Sequence, residues 1–298
     1  MSGLARAAEA PRFEPALMQR RLSGTLFYGA CLAAIGLTLL AILLLLYDIF
    51  TRGLSHLDVD FLTGVPSRFP DRAGVLPALV GSLQLGILLA AIAFPVGVAA
   101  AVYLEEYARQ SRLNQLLRTN IANLAGVPSI VYGIFGLALF VRALGLGYTL
   151  IAAALTLALL ILPVVIISTM EAIRAVPPSQ REAAYALGAT RWQVVSGAVL
   201  PAAAPGIMTG IILAMARAIG ETAPLILVGA VTFVTYLPGP FEGGYTVLPI
   251  QVYSWAARFQ PAFQEISATA IIVLLALLVV LNVLALVVRV RLSRHLQW

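Results

Sequence analysis

This sequence predicts an all-α integral membrane protein with six transmembrane helices, on three observations. Hydrophobic residues make up 61% of its 298 residues and charged residues 11%, where soluble domains carry about 25% charge. The apolar residues gather into long uncharged runs, Leu22–Tyr47, Ala73–Leu104, Thr119–Val141, Ala143–Met170 and Ile266–Val288; a sixth run, Val194–Val234, is interrupted only by Arg217 and Glu221. Each has the ~20 residues or more that cross about 30 Å of hydrocarbon. None alternates with the period of two that barrel strands require, so the spans are helices.

Arginine sets the orientation, because the chain has no lysine and all nineteen basic residues are Arg. With the N-terminus in the cytoplasm, thirteen lie inside (Arg6, Arg12, Arg20, Arg21, Arg109, Arg112, Arg118, Arg174, Arg181, Arg191, Arg289, Arg291, Arg294) and five outside (Arg52, Arg68, Arg72, Arg142, Arg258). Both termini are therefore expected in the cytoplasm of a multi-pass inner-membrane protein. The net charge of +6 reads as topology, and no basic stripe with interleaved aromatics points to nucleic acid. The single Cys31 gives neither a disulfide framework nor a thiol metal site. His56 and His295 lie outside the spans and far apart, so no metal ligand set and no catalytic residue is expected.

In order, residues 1–21 form a polar cytoplasmic tail and residues 22–50 the first transmembrane anchor. The anchor's apolar run is too long for a signal peptide and no small-x-small cleavage site follows it. Residues 51–73 form an external loop with Asp58, Asp60 and Asp71 among Gly and Pro. Tyr103–Arg118 is a short basic cytoplasmic connection, and Glu105-Glu106 within it reads as the solvated end of a span. Leu144–Tyr148 is a tight external turn on Gly145 and Gly147. Thr235–Gln264 is the longest external loop, and its Trp255 and Tyr253 suit the membrane interface. The main body is 74–288, followed by a cytoplasmic tail at 289–298.

Between the fourth and fifth spans the chain turns polar. Pro177-Pro178 ends the fourth span. Ser179 and Glu182 have capping-box spacing for a short helix Ser179–Leu187, Gly188 suits a left-handed cap, and Thr190 with Gln193 launches the next helix. Alanines at 183, 184 and 186 make this helix thin on one side. It is either an interfacial connector on lipid or a helix that docks in a groove, anchored by Tyr185, Leu187 and Trp192.

Glu182-Ala183-Ala184, Gly188-Ala189 and Leu200-Pro201 resemble the "EAA" cytoplasmic loop of binding-protein-dependent ABC importer permeases, and they stand before the penultimate span as in that family. The resemblance implies a type I (MetI-like) permease fold with the coupling loop at 177–201. It implies that Glu182, Ala183, Ala184, Tyr185, Gly188, Ala189, Arg191 and Trp192 meet an ATPase subunit. A chain with no lysine has no Walker A lysine, so ATP and Mg would be bound by that separate ATPase, and no cofactor is expected in this chain.

"ARAIGETAPLILVGA", Ala216–Ala230, is the most informative stretch within a span. Arg217 and Glu221 stand four apart, on one face of a helix. A charge at bilayer depth costs about 2.5–3.5 kcal/mol on insertion scales, so the two either neutralise each other as a structural pair or line a wet path. Arginine suits bidentate recognition of oxyanions. The stretch resembles the "RAIGET" segment of phosphate-specific ABC permeases, and "ETAPL" is nearer the PstA type than the PstC type. "AGVPSIVYGIFGLALF" (Ala125–Phe140) and "LPIQVYSWA" (Leu248–Ala256) are also similar to that family. The resemblance implies that Arg217 and Glu221, with Thr222 beside them, serve phosphate transport. It also implies a homologous PstC-type permease as heterodimer partner, two ATPase copies and an external phosphate-binding protein.

In the third span Pro128 frees a carbonyl near Asn123 or Leu124. Ser129 and Tyr132 share a face, as candidates for the substrate path, while Gly126, Gly133 and Gly136 allow close helix approach; packing and a polar path are both open readings. The same machine for sulfate or molybdate is the nearest alternative. An ion-coupled secondary transporter would show internal repeats and helices interrupted at the midplane, neither of which the sequence displays.

Overall fold

The computed structural model describes residues 17–294 apart from 110, 231 and 232. Most of the expected N-terminal tail, with Arg6 and Arg12, and the end of the C-terminal tail, with His295, lie outside the described residues. The described chain is helical, with isolated bridges at Thr149–Gly243 and Ala230–Tyr245 as its β pairings. Residues 1–49 and 50–298 form separate compact units.

Helix α1, Leu17–Gly53, presents exposed Leu, Ile and Phe side chains along its length, as a helix in lipid does. A short α2, Val59–Thr63, follows, capped by Asp58, whose carboxylate accepts from the Phe61 amide at 2.7 Å. Helix α3, Leu76–Val102, crosses with Pro95 in its interior and ends in a π-helical turn, Tyr103–Tyr107.

The third span is not one helix. α4, Arg112–Ala125, and α5, Ser129–Gly136, with its π-helical extension Leu137–Ala143, meet at 102°. The continuous span expected over Thr119–Val141 is thereby corrected. Pro128 has no N–H to continue the ladder, and polar side chains at 114, 115, 118, 120 and 123 make α4 amphipathic rather than uniformly apolar. Gly145 and Gly147, at φ +67° and +68°, then turn the chain into α6, Leu150–Arg174, which carries Pro163.

The polar segment after α6 holds α7, Pro178–Ala186, and α8, Arg191–Val194, which runs through a π-helical turn into α9, Leu200–Ile219. α10, Ala223–Leu227, follows a break. α11, Leu248–Ala256, lies within the long loop, and α12, Pro261–Arg294, closes the chain. Among the described residues five single helices are long and apolar enough to cross a membrane, or six spans if the bent α4–α5 pair counts as one.

α6 is the central ruler of the second unit, with most of its residues buried. A Cβ on Gly206 of α9 would lie 2.8 Å from Ala172, and one on Gly210 would run into Ser168, so α9 is antiparallel to α6. Gly136 of α5 abuts Thr156, and Gly133 would meet Pro224 of α10 at 2.7 Å. Both close approaches fulfil the small-residue expectation. Gly126 touches only its own turn and makes no such contact. Trp255 is fully buried against Phe61 and Phe263, so it is a core residue and not an interface anchor. α11 is fastened to α3: the Leu248 amide donates to Ser82 Oγ at 2.8 Å.

Candidate transport site and coupling surface

Helix α9 ends at Ile219, with Gly220 as its C-cap. Arg217 and Glu221 therefore do not share a helical face as expected. The chain leaves the helix between them, and the turn brings Arg217 Nε to 3.5 Å from Glu221 Oε1. Gly220 and Pro224, four residues apart, bracket the break. The arginine side chain is 50% exposed and the glutamate 17%, so the carboxylate is sheltered while the guanidinium faces open space.

The register against α6 fixes the depth. Gly210 sits at Ser168, and seven residues further along α9 Arg217 comes level with Ile161, near the middle of the 25-residue α6. The same reasoning from Gly136 at Thr156 puts Tyr132 level with Leu160. Gly133, beside Tyr132, abuts Pro224 just past the end of α9. Both interrupted helices thus break at mid-depth and bring Arg217, Glu221 and Tyr132 into one neighbourhood, with Ser129 one turn from Tyr132 on α5. Thr222 is the N-cap of α10, and its carbonyl accepts from the Ile226 amide at 3.2 Å.

The Tyr132 hydroxyl donates to Leu124 O at 2.8 Å. That carbonyl is one of the pair Pro128 was expected to free. Since the phenolic proton is engaged there, Tyr132 holds the bend and offers only lone pairs to a visitor. The interruptions that the sequence did not display are therefore present, at the depth where broken helices can leave backbone and side-chain polar groups facing a cavity.

At the far end of α9, the expected Thr190–Gln193 capping box is formed, with both reciprocal bonds in place. Gly188 has φ +81°, as its cap position requires. The Ser179–Glu182 box is not formed: α7 starts one residue earlier, with Pro178 in the first turn and no side-chain cap at Pro177. Proline's fixed φ nucleates that turn instead. Ala184 and Ala189 pack against Val194, Val195 and Val199, while Glu182, Ala183, Tyr185, Leu187, Gly188 and Trp192 are exposed. The expected anchors thus stand outward on the described chain, available to a partner.

What holds α7 in place was not read from the sequence. Arg181 donates to Glu106 Oε1 at 3.1 and 3.2 Å, to Val176 O at 2.7 Å and to Ile173 O at 2.8 Å. Arg191 donates to Glu106 O and lies over the Tyr107 ring at 4.9 Å. Glu105 pairs with Arg118 and, at 2.7 Å, with Arg174, which also holds Glu171 at 2.9 Å. Glu105 and Glu106 are only 12% and 11% exposed, so they are not solvated span ends but the acidic centre of an arginine cluster. Two adjacent carboxylates beside a basic connection were the available signal.

Among the described residues no group of three His, Cys, Asp or Glu stands close enough to hold a metal ion. The family described as "Binding-protein-dependent transport system inner membrane component" matches residues 93–297. The chain is 38% identical over 219 residues to the probable ABC transporter permease protein YqgI of Bacillus subtilis, covering 72% of this chain and 73% of that one. It is 36% identical over 249 residues to phosphate transport system permease protein PstA 1 of Mycobacterium tuberculosis, covering 81% and 79%. It is 31% identical over 267 residues to PstA of Pasteurella multocida, covering 89% and 94%. Among solved structures, a bacterial ABC transporter involved in alginate import aligns with a TM-score of 0.65 at 17% identity, covering 92% of this chain and 98% of that one. The MetNI methionine ABC transporter aligns at 0.54 and 22%, covering 76% and 95%. These two share the fold, that of type I importer permeases. The chain belongs to the binding-protein-dependent transport system inner membrane component family, as a multi-pass membrane permease.

Proposed function

We propose that this chain is the permease subunit that carries inorganic phosphate in an ATP-driven importer, with the α7 end in the cytoplasm. The observation that carries this reading is Arg217: a half-exposed guanidinium at mid-depth, held by a single carboxylate at 3.5 Å. That separation is longer than the ~2.7–2.9 Å of a tight charge-assisted bond, so Glu221 compensates the charge while leaving donors of the planar fork free. An oxyanion entering from the external side exchanges with the carboxylate, and conduction needs that binding to stay weak enough for release. The relatives named as phosphate permeases support phosphate over sulfate or molybdate.

ATP and Mg belong to a separate ATPase, two copies of which meet this chain and its partner, and Tyr185, Leu187 and Trp192 of the coupling segment form the contact. A PstC-type permease completes the pathway, and an external binding protein delivers the phosphate. The test is uptake by the purified complex in liposomes: phosphate accumulation that needs ATP and exceeds sulfate and molybdate accumulation is expected. Uptake driven by an ion gradient without ATP, or preference for another oxyanion, overturns it.

A further inference from the structure

At the α7 end, the π-helical turn after α3, the start of α4 and the end of α6 line a half-open cavity of about 660 Å³. That is within the ~300–1,000 Å³ of small-molecule sites. Four arginines line it, Arg109, Arg112, Arg118 and Arg174, against one carboxylate, Glu105. Among the described residues Ala108 is its only apolar lining residue, and no aromatic residue lines it. Glu105 engages Arg118 and Arg174. Arg109 and Arg112 have no carboxylate within ion-pair distance among the described residues. The lining therefore carries an excess of three positive charges over its own carboxylate, concentrated on side chains whose planar forks match tetrahedral oxyanions.

We propose that this cavity binds a phosphoryl anion, separate from the transport path, and that its occupant acts on the coupling helix. The anion competes with Glu105 for Arg118 and Arg174. Glu105 is the neighbour of Glu106, which holds Arg181 of α7 and, through its carbonyl, Arg191. Displacing the first carboxylate shifts the backbone that carries the second, so occupancy is transmitted to the segment that meets the ATPase. The group comes either from free phosphate or from an acidic lipid headgroup, since Leu113, Leu116 and Leu117 of the adjoining α4 are exposed and suit the bilayer surface. Calling the site cytoplasmic rests on the orientation proposed above; the binding chemistry does not.

The experiment compares the intact complex with its Arg109→Ala/Arg112→Ala form, and with Arg109→Gln/Arg112→Gln as a second pair that keeps side-chain bulk. One arm titrates inorganic phosphate into complex in pure phosphatidylcholine nanodiscs. The other replaces a third of the lipid with phosphatidylglycerol and adds no phosphate. Each reads bound ligand and basal ATP hydrolysis. Both pairs retain Arg217, so binding in the transport path cancels in the comparison, and because no uptake is measured, failure here is distinct from failure of the phosphate-import reading. We expect one arm to change hydrolysis at least threefold in the intact complex and both pairs to weaken that response at least tenfold in ligand concentration. A response in the phosphate arm identifies the free anion, and one in the lipid arm the headgroup. Responses identical in the intact complex and both pairs, or no response in either arm, overturn the site.

Discussion

Arg181 and Glu106 are 75 residues apart in sequence, yet the guanidinium of one closes on the carboxylate of the other at 3.1 Å. The same guanidinium caps two carbonyls at the end of α6. One side chain therefore fastens the coupling helix to the ends of two spans. Arg181→Ala strands a sheltered carboxylate and takes the guanidinium from Val176 O, while Ile173 O keeps the Val176 amide. We expect a loss of about 1–3 kcal/mol in stability, seen as a lower melting temperature of the complex, and uncoupling of ATP hydrolysis from uptake. Arg181→Lys keeps the charge but not the fork and should recover less than half of the coupling. Normal coupling in Arg181→Ala would show that α7 is held by packing alone.

For Arg217, substitution by Lys or Gln should leave assembly with the ATPase and basal hydrolysis intact, because the residue lies about half a span from the coupling segment. Phosphate uptake should fall at least tenfold in both. Wild-type uptake by Arg217→Gln would make the arginine structural, and failure to assemble would favour the ion pair with Glu221 as its whole purpose.

Tyr132→Phe removes the hydrogen bond to Leu124 O at the α4–α5 bend. The expected cost is about 0.5–1.5 kcal/mol, with uptake reduced more than stability would suggest, since the bend positions the neighbourhood of Arg217. Thermal melting and uptake measured on the same preparation check it; loss of neither would mean that Pro128 alone sets the angle.

Gly136→Ala forces a methyl into Thr156, whereas Gly126→Ala meets only Asn123 O at 3.5 Å. The first should destabilise by about 1–3 kcal/mol and the second by much less. Gly188→Val tests a different cause: a Cβ there has open space around it, but φ +81° is strained for a β-branched residue, by about 1–3 kcal/mol. Gly188→Asn should be far milder. Equal melting temperatures across these variants would refute both arguments.

The features legible in the sequence are those whose cause is local. The Thr190–Gln193 box, the left-handed glycines at 145, 147 and 188, and the proline-driven break near Leu124 all follow from residues within a few positions. The long apolar runs gave the spans for the same reason. The fastening of Arg181 to Glu106 was hidden because no periodic pattern links positions 75 apart. The 102° bend was hidden because a proline says that a ladder breaks but not where the chain goes next. The end of α9 was missed although Gly220 and Pro224 marked it, because four-residue spacing of opposite charges reads as a continuous helix.

The interruptions share a level. Pro95 lies two residues before Gly97, which would meet Val165 at 2.7 Å, so it comes level with the neighbourhood of Pro163. By the same register the α4–α5 bend at Pro128 comes level with residue 164 and the end of α9 with residue 159, both in the middle third of α6. Each missing or distorted backbone bond lowers local bending stiffness, and here the soft points of four crossings are stacked in one layer. α12 passes that layer with no interior proline. Within residues 50–298 the bundle is thus mechanically two-storeyed, with a compliant floor and α12 as its unbroken post. A push at α7 should tilt the lower storey about α12 instead of widening the whole barrel of helices. Spin labels within one storey should then keep their separation through the ATP cycle while pairs spanning the floor change theirs. Uniform change in both sets would mean that the bundle dilates as a whole.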